Sequence, residues 1–342
     1  MTKKIQGQSA KIKRIIHRCV EEVDATRKIM HLTSTKEGLE TFRAKIDMQV
    51  MNHNGNYENS MRKKHLLRKH DIMIRYYERL FGDFLKTYDY THKNITWKSS
   101  NYSNCIWVCW WQGLENAPDI VKACIESIQR NAGNHPVIVL TDENYKQYVT
   151  IPRWVEEKRR KEIITRTNYS DLLRLSLLAE HGGMWLDATF FCTEPVLDSY
   201  FQKPLWSIKR PDYFHASVAG GYFAGYSLAC NEANRFVFAT IRDFFLNYWK
   251  NNDTMVDYLM VDYMIVLAQK YDRRIAEEFA KIEPNNSKCD ELVKVLGRPY
   301  DESQWEELRK ETALFKLTWK QKYPLEANGK PTFYKYLLDR KL

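Results

Sequence analysis

Residues 170–191 read SDLLRLSLLAEHGGMWLDATFF, and the fold is decided by how the second half is read. The first half spaces its leucines as a helix, with Asn168 or Ser170 as cap and Gly182-Gly183 as the stop. Met184-Trp185-Leu186 then reads as a short buried strand. Asp187 arrives where that strand runs out, just before Phe190-Phe191. Strand interiors avoid Asp, and a carboxylate among bulky apolar neighbours is costly unless something binds it. A plain turn role suits Asp187 poorly in the company of Trp, Leu and Phe.

The same stretch places other polar groups beside that strand. Asp171 and Arg174 are three apart and share a helix face continued by Leu178, while Leu172, Leu175 and Ala179 point into the core. The plain alternative for this pair is a first-turn acid and its surface partner. Asp187 and Thr189 are two apart and project to one side of an extended chain. In open α/β sheets ligands bind beyond the carboxyl ends of the strands. An Asp there, followed by a hydroxyl on the same face, suits a hydrated divalent cation, which would in turn hold a diphosphate.

Working outward, CIWVCWW (105–111) is a buried strand, APDIVKACIESIQRN (117–131) a helix and HPVIVLTDENY (135–145) a second strand ending in turn residues. IPRWVEEKRRKE (151–162) is a short helix, LWSIKR (205–210) and VAGGYFAGYSLAC (218–230) are further strands, and residues 234–251 and 254–271 are long helices. Alternating β and α predicts a doubly wound sheet with parallel strands. The tail, 284–342, is polar and aromatic with weak periodicity.

Upstream the texture is helical. Residues 5–30 carry Ile5, Ile12, Ile15, Ile16, Cys19, Val20 and Val23 at helical spacing opposite Lys11, Lys13, Arg14 and Arg18, and after the polar stretch 52–60 a helical pattern resumes over 62–88. Two regions follow: a basic helical region over 1–100 and an α/β domain over 101–342. Residues 1–100 hold 21 Lys+Arg against 11 Asp+Glu, whereas 101–342 hold 32 of each, so the whole excess of +10 lies at the N-terminus.

With 342 residues, 44% hydrophobic and 28% charged, the composition is that of a globular chain, not a disordered or fibrous one. No apolar run approaches the roughly 20 residues that cross a bilayer. The opening MTKKIQGQSAKIKR lacks the apolar core of a signal peptide, so a cytoplasmic location is expected. Seven cysteines without a CxxC pair predict reduced core residues, not a disulfide framework or a zinc site. A Walker sequence, a GxGxxG turn and a Ser/His/Asp or Cys/His spacing are all missing. Basic charge interleaved with Tyr and Phe could track nucleic acid, but it lies outside the α/β body, and no nucleic-acid partner is expected.

SDLLRLSLLAEHGGMWLDAT resembles the signature of the DXD-containing sugar transferases that include the capsular polysaccharide synthesis family (glycosyltransferase family 32-like) and, more distantly, the clostridial glucosylating toxins. There a helix bearing S-D-x-x-R runs into G-G-x-[YW]-x-D-x-[DT]. IWVCWWQG with ENAPDIV resembles that family's opening strand and FKLTWK its closing one, so the similarity spans roughly residues 104–320. The resemblance implies a GT-A fold, a Rossmann-like, mostly parallel sheet flanked by helices, here with an N-terminal helical appendage. It implies a UDP-sugar donor, retention of anomeric configuration and a divalent metal, Mn2+ or Mg2+, at Asp187 and Thr189. Carried over, Trp110 stacks on the base with Gln112 beside it, Ser170, Asp171 and Arg174 hold sugar and diphosphate, Asp187 meets ribose and metal, and Lys316 and Trp319 close over the diphosphate.

Each assignment has a physical reason: Arg offers a planar fork of donors, Trp a flat face, and Lys a charge for the departing diphosphate. Thr189 departs from the pattern, since many relatives are acidic there and a hydroxyl is a weaker ligand for a hard cation. Asp262 lies in an apolar setting within 254–271. It is either a third catalytic carboxylate, the one candidate for double displacement, or part of a wet helical stripe with Asp257. The expected acceptor is a hydroxyl of a lipid-linked or growing glycan. The basic N-terminal helices would bring the enzyme to the inner face of the plasma membrane, as a peripheral partner of anionic lipid.

Overall fold

The strand that ends at Asp187 sits in the middle of the sheet, because it is apolar enough to be covered on both faces. The computed structural model describes residues 20–54, 59–93, 95–195, 197–211 and 217–342. A helical run over residues 20–32 (α1) precedes α2 (Thr35–Asn54), α3 (Ser60–Phe81) and α4 (Asp83–Thr87). The sheet region follows as β1 (Ile106–Cys109), α5 (Asp119–Asn131), β2 (Val137–Leu140), α6 (Arg153–Arg160), α7 (Arg166–Glu180), β3 (Gly183–Leu186), β4 (Phe190–Cys192), α8 (Leu197–Phe201), β5 (Leu205–Ser207) and β6 (Ser227–Cys230). Then come α9 (Arg235–Asn251), α10 (Met260–Tyr271), α11 (Arg273–Ala280), α12 (Leu292–Val295), α13 (Glu302–Arg309), β7 (Leu314–Lys316), β8 (Glu326–Ala327), β9 (Lys330–Pro331) and α14 (Phe333–Leu338).

Five strands form the central sheet in the order β2-β1-β3-β6-β5. β1 pairs in parallel with β2 and β3, with Trp107 opposite Trp185, while β6 is antiparallel to both of its neighbours. Four strands therefore run one way and β6 alone runs back. This is an α/β fold with a mostly parallel central sheet flanked by helices, as the resemblance implies. The two-residue period of the strands divides the core. Ile106, Val108, Met184 and Leu186 face α5, α12–α14 and a small β4–β7 sheet, whereas Trp107 and Trp185 face α7 and α9.

Local chemistry fixes α7 differently from the expectation. Thr165, not Asn168 or Ser170, is the cap, accepting from the Asn168 amide at 3.3 Å. Asn168 is buried one turn in, and the Ser170 hydroxyl donates to the Arg166 carbonyl at 3.0 Å. The glycine stop holds: Gly182 and Gly183 have φ of 77° and 83°. A Cβ on Gly183 would lie 2.5 Å from the Cys105 carbonyl, so glycine lets β3 enter tight against the residue before β1.

Two elements are shorter than their sequence patterns. Of residues 218–230 only Ser227–Cys230 is strand, because Gly220 and Gly221 turn the chain at positive φ. The helix expected over 254–271 begins at Met260, since the Asp257 carboxylate accepts the Leu259 amide at 2.9 Å and pairs with Lys69 at 2.8 Å. Asp257 and Asp262 therefore do not share a helix stripe. The weakly patterned tail contributes three short helices and three strands.

The N-terminal helices pack into the same core. Ala25 and Ile29 of α1 and Ile72, Met73, Tyr76 and Tyr77 of α3 share one buried cluster with α7, α9 and α10. His70 Nδ1 lies 2.8 Å from the Tyr263 hydroxyl. Val20 and Val23, placed by sequence on an apolar face, are exposed, and the basic face at 11–18 lies outside the described residues. Among the described residues no helix is long and apolar enough to cross a membrane. The six cysteines described are free, five of them buried, as expected of core thiols.

Candidate functional site

β1, β3 and β5 all run toward one edge of the sheet, and an open cleft of about 790 Å3 lies beyond that edge. Trp110 and Gln112 enter it after β1, Ser170, Asp171 and Arg174 from α7, and Asp187 and Thr189 after β3. Asp262 at the start of α10 and Lys316 and Trp319 at the end of β7 complete the wall. The cleft thus gathers all ten residues that the sequence reading singled out.

At the floor, Asp171 and Arg174 form a buried ion pair one helical turn apart. Burial pushes the Asp171 carboxyl above the usual range, with Arg174 pulling it back and Asp187 adding to the rise. The Arg174 guanidinium also lies 5.4 Å from the Trp185 ring, and its Nε is buried without a partner among the described residues.

Asp187 ends β3 in a turn closed by the Phe190 amide on its carbonyl at 3.0 Å. Its side chain lies on the same side as Trp185, whose indole donates to Oδ1 at 3.0 Å. Lys316 Nζ donates to Oδ2 at 2.8 Å and to the Thr189 hydroxyl at 2.7 Å. Burial alone would raise the Asp187 pKa, but Lys316 and Arg174 together hold it below the ordinary carboxylate value.

Trp110 and Trp319 form the aromatic end of the cleft, edge to face at 5.7 Å and 89°. Trp319 is exposed, whereas the Trp110 indole N–H is buried without a partner among the described residues. Ser170 is tied back by the Trp111 indole at 2.8 Å. Asp262 faces Gly225, where a Cβ would lie 2.7 Å from its Oδ1, so glycine makes room for the carboxylate. Burial, and secondarily the charge of Asp171, pushes Asp262 up to about 7.

The donors around Asp187 bear directly on the expected divalent cation. The acidic residue offers two oxygens, both already accepting from protein N–H groups, and the hydroxyl of Thr189 accepts from the same ammonium. Among the described residues no three His, Cys, Asp or Glu side chains gather to hold a metal. A divalent cation on a diphosphate needs only one or two protein carboxylates, the rest being phosphate and water oxygens, and here the one carboxylate, Asp187, shares a fixed ammonium with Thr189. In this structure the place that the sequence assigned to a metal, between Asp187 and Thr189, is taken by the Lys316 ammonium.

A family model described as capsular polysaccharide synthesis protein matches residues 53–337. The chain belongs to the capsular polysaccharide synthesis family. Its match takes in α3 as well as the sheet. No protein of curated function matches the sequence. Among solved structures, the chain is similar to the apo structure of the bifunctional glycosyltransferase WbbM, at 10% identity and a TM-score of 0.37, over 71% of this chain and 50% of that one. The chain therefore spans half the length of that structure.

In this member of the capsular family the cleft also holds residues that sequence reasoning passed over. Arg210 pairs with Asp290 and donates to the Tyr226 hydroxyl at 2.7 Å, and all three line the wall. Arg210 follows β5 at the same sheet edge as Asp187 follows β3, which was a legible signal. Asp290 comes from the unpatterned tail and carried none.

Proposed function

We propose that this protein is a retaining glycosyltransferase that takes a UDP-sugar donor and glycosylates a hydroxyl of a lipid-linked or growing capsular glycan. Membership of the capsular family sets the class, and the cleft supplies the chemistry. The observation that carries the reading is an ammonium, Lys316, held at the strand-end carboxylate of a cleft with an indole pair at one end. Trp110 and Trp319 suit a flat pyrimidine. Lys316 and Arg174 suit the two phosphates, and Asp171 suits the sugar hydroxyls.

Charge builds on the diphosphate as the bond from the anomeric carbon to the β-phosphate oxygen breaks, and fixed cations lower that barrier. The electron pair leaves with the phosphate oxygen. The acceptor hydroxyl attacks from the same face, forming the new C–O bond with retention, and its proton passes to the departing diphosphate. Asp262, ionised above about pH 7, accepts from a sugar hydroxyl and orients it.

UDP release measured over a panel of UDP-sugars tests the reading, with the anomeric configuration of the product followed by NMR. Turnover of one donor with retention is expected; binding of no nucleotide sugar would overturn it. Membrane contact through the basic N-terminus belongs to the same proposal. Ala25 and Ile29 are core residues, so the informative deletion stops at residue 19. That deletion is expected to weaken binding to anionic vesicles and leave UDP release intact; unchanged vesicle binding would reject membrane contact.

A further inference from the structure

We propose that the Lys316 ammonium replaces a divalent cation in this cleft, so that the donor diphosphate is bound and released without metal. The inference rests on the donor reading above and adds to it the identity of the cation.

Three features support it. First, the ammonium stands between the two side chains: Asp187 takes one N–H from Trp185 and one from Lys316, and Thr189 takes another from Lys316. Second, Lys316 is anchored as a strand residue. It pairs with Phe190 across the β4–β7 ladder, its amide donates to the Cys289 carbonyl at 2.8 Å, and the next amide donates to the Thr189 carbonyl at 2.9 Å. Its ammonium lies 5.3 Å from the rings of both Phe190 and Tyr226, which favour a cation. Third, the hydroxyl of Thr189 matches this arrangement. A carboxylate there would surround the ammonium with two full negative charges, whereas Asp187 and Thr189 neutralise it once and take two of its three N–H groups. The third is available to a phosphate oxygen.

As the glycosyl bond breaks, the electron pair moves to the β-phosphate oxygen, which accepts a hydrogen bond from Lys316. The lysine keeps its proton throughout, and no metal enters or leaves.

The test is calorimetric titration of the full chain with UDP, once in EDTA and once with excess manganese. Affinities agreeing within about twofold are expected. Lys316→Ala is expected to weaken UDP binding by about tenfold or more in EDTA, and Lys316→Arg to retain most of it. Thermal unfolding of both variants near that of the parent would show that the loss lies in the cleft. Binding that requires manganese, or an unimpaired Lys316→Ala, overturns the inference and leaves the donor reading standing. Binding of no UDP in either medium overturns the donor reading and this inference with it.

Discussion

At the scale of the residue, Asp187 is the group on which the cleft is organised. It holds Lys316 through one oxygen and is steadied by Trp185 through the other, so Asp187→Asn keeps the shape and removes the charge. UDP-sugar turnover is expected to fall about 10²- to 10³-fold in steady-state assays, with little change in folding temperature. Asp262 gives a second prediction, through pH. Its folded pKa is raised to about 7 from an ordinary 3.8, so the stability that it contributes is fully present at acid pH and is lost as pH rises through about 7. Asp262→Asn removes that loss, and its folding temperature relative to the parent is expected to rise between about pH 5 and about pH 9 in thermal scans. A constant difference across that range would contradict the raised carboxyl. Asp187 was legible because a carboxylate stood in an apolar strand end. The lysine opposite it was not legible as a partner, since 127 and 129 residues separate it from Thr189 and Asp187 and only the β4–β7 pairing joins them.

At the scale of the element, the helix–glycine–strand unit α7–β3 sets the position of every acidic group on the floor. Asp171 and Arg174 ride one face of α7, and β3 starts so close to Cys105 that only a glycine fits at 183. Gly183→Ala meets both a positive φ and a backbone carbonyl, and a loss of about 1–3 kcal/mol is expected in denaturant titrations. An unaffected variant would mean that the β1–β3 contact is looser than drawn. Periodicity showed α7, β3 and their boundary because both patterns are strong there. It overextended the strand before β6 and the helix before α10, where Gly220-Gly221 and the Asp257–Lys69 pair overrule local preference. No pattern in one segment can reveal a partner in another.

At the scale of the whole molecule, the helices before the sheet and the helices that back the cleft are parts of one core. Lys69 on α3 neutralises Asp257 just before α10, both fully enclosed. Lys69→Met would strand a buried carboxylate, and a loss of about 3–5 kcal/mol is expected in chemical unfolding. Because Asp262 follows on α10, the same change should also reduce UDP-sugar turnover. The basic excess at the N-terminus was plain from composition, yet composition could not show that α1 and α3 carry buried faces that tie them to α9 and α10.

The most direct measurement is a crystal structure of the full chain grown with UDP in the presence of EDTA. The account predicts the uracil against the Trp110–Trp319 pair and a phosphate oxygen within hydrogen-bond distance of Lys316 Nζ. A nucleotide bound outside the cleft, or a diphosphate out of reach of Lys316, would contradict it.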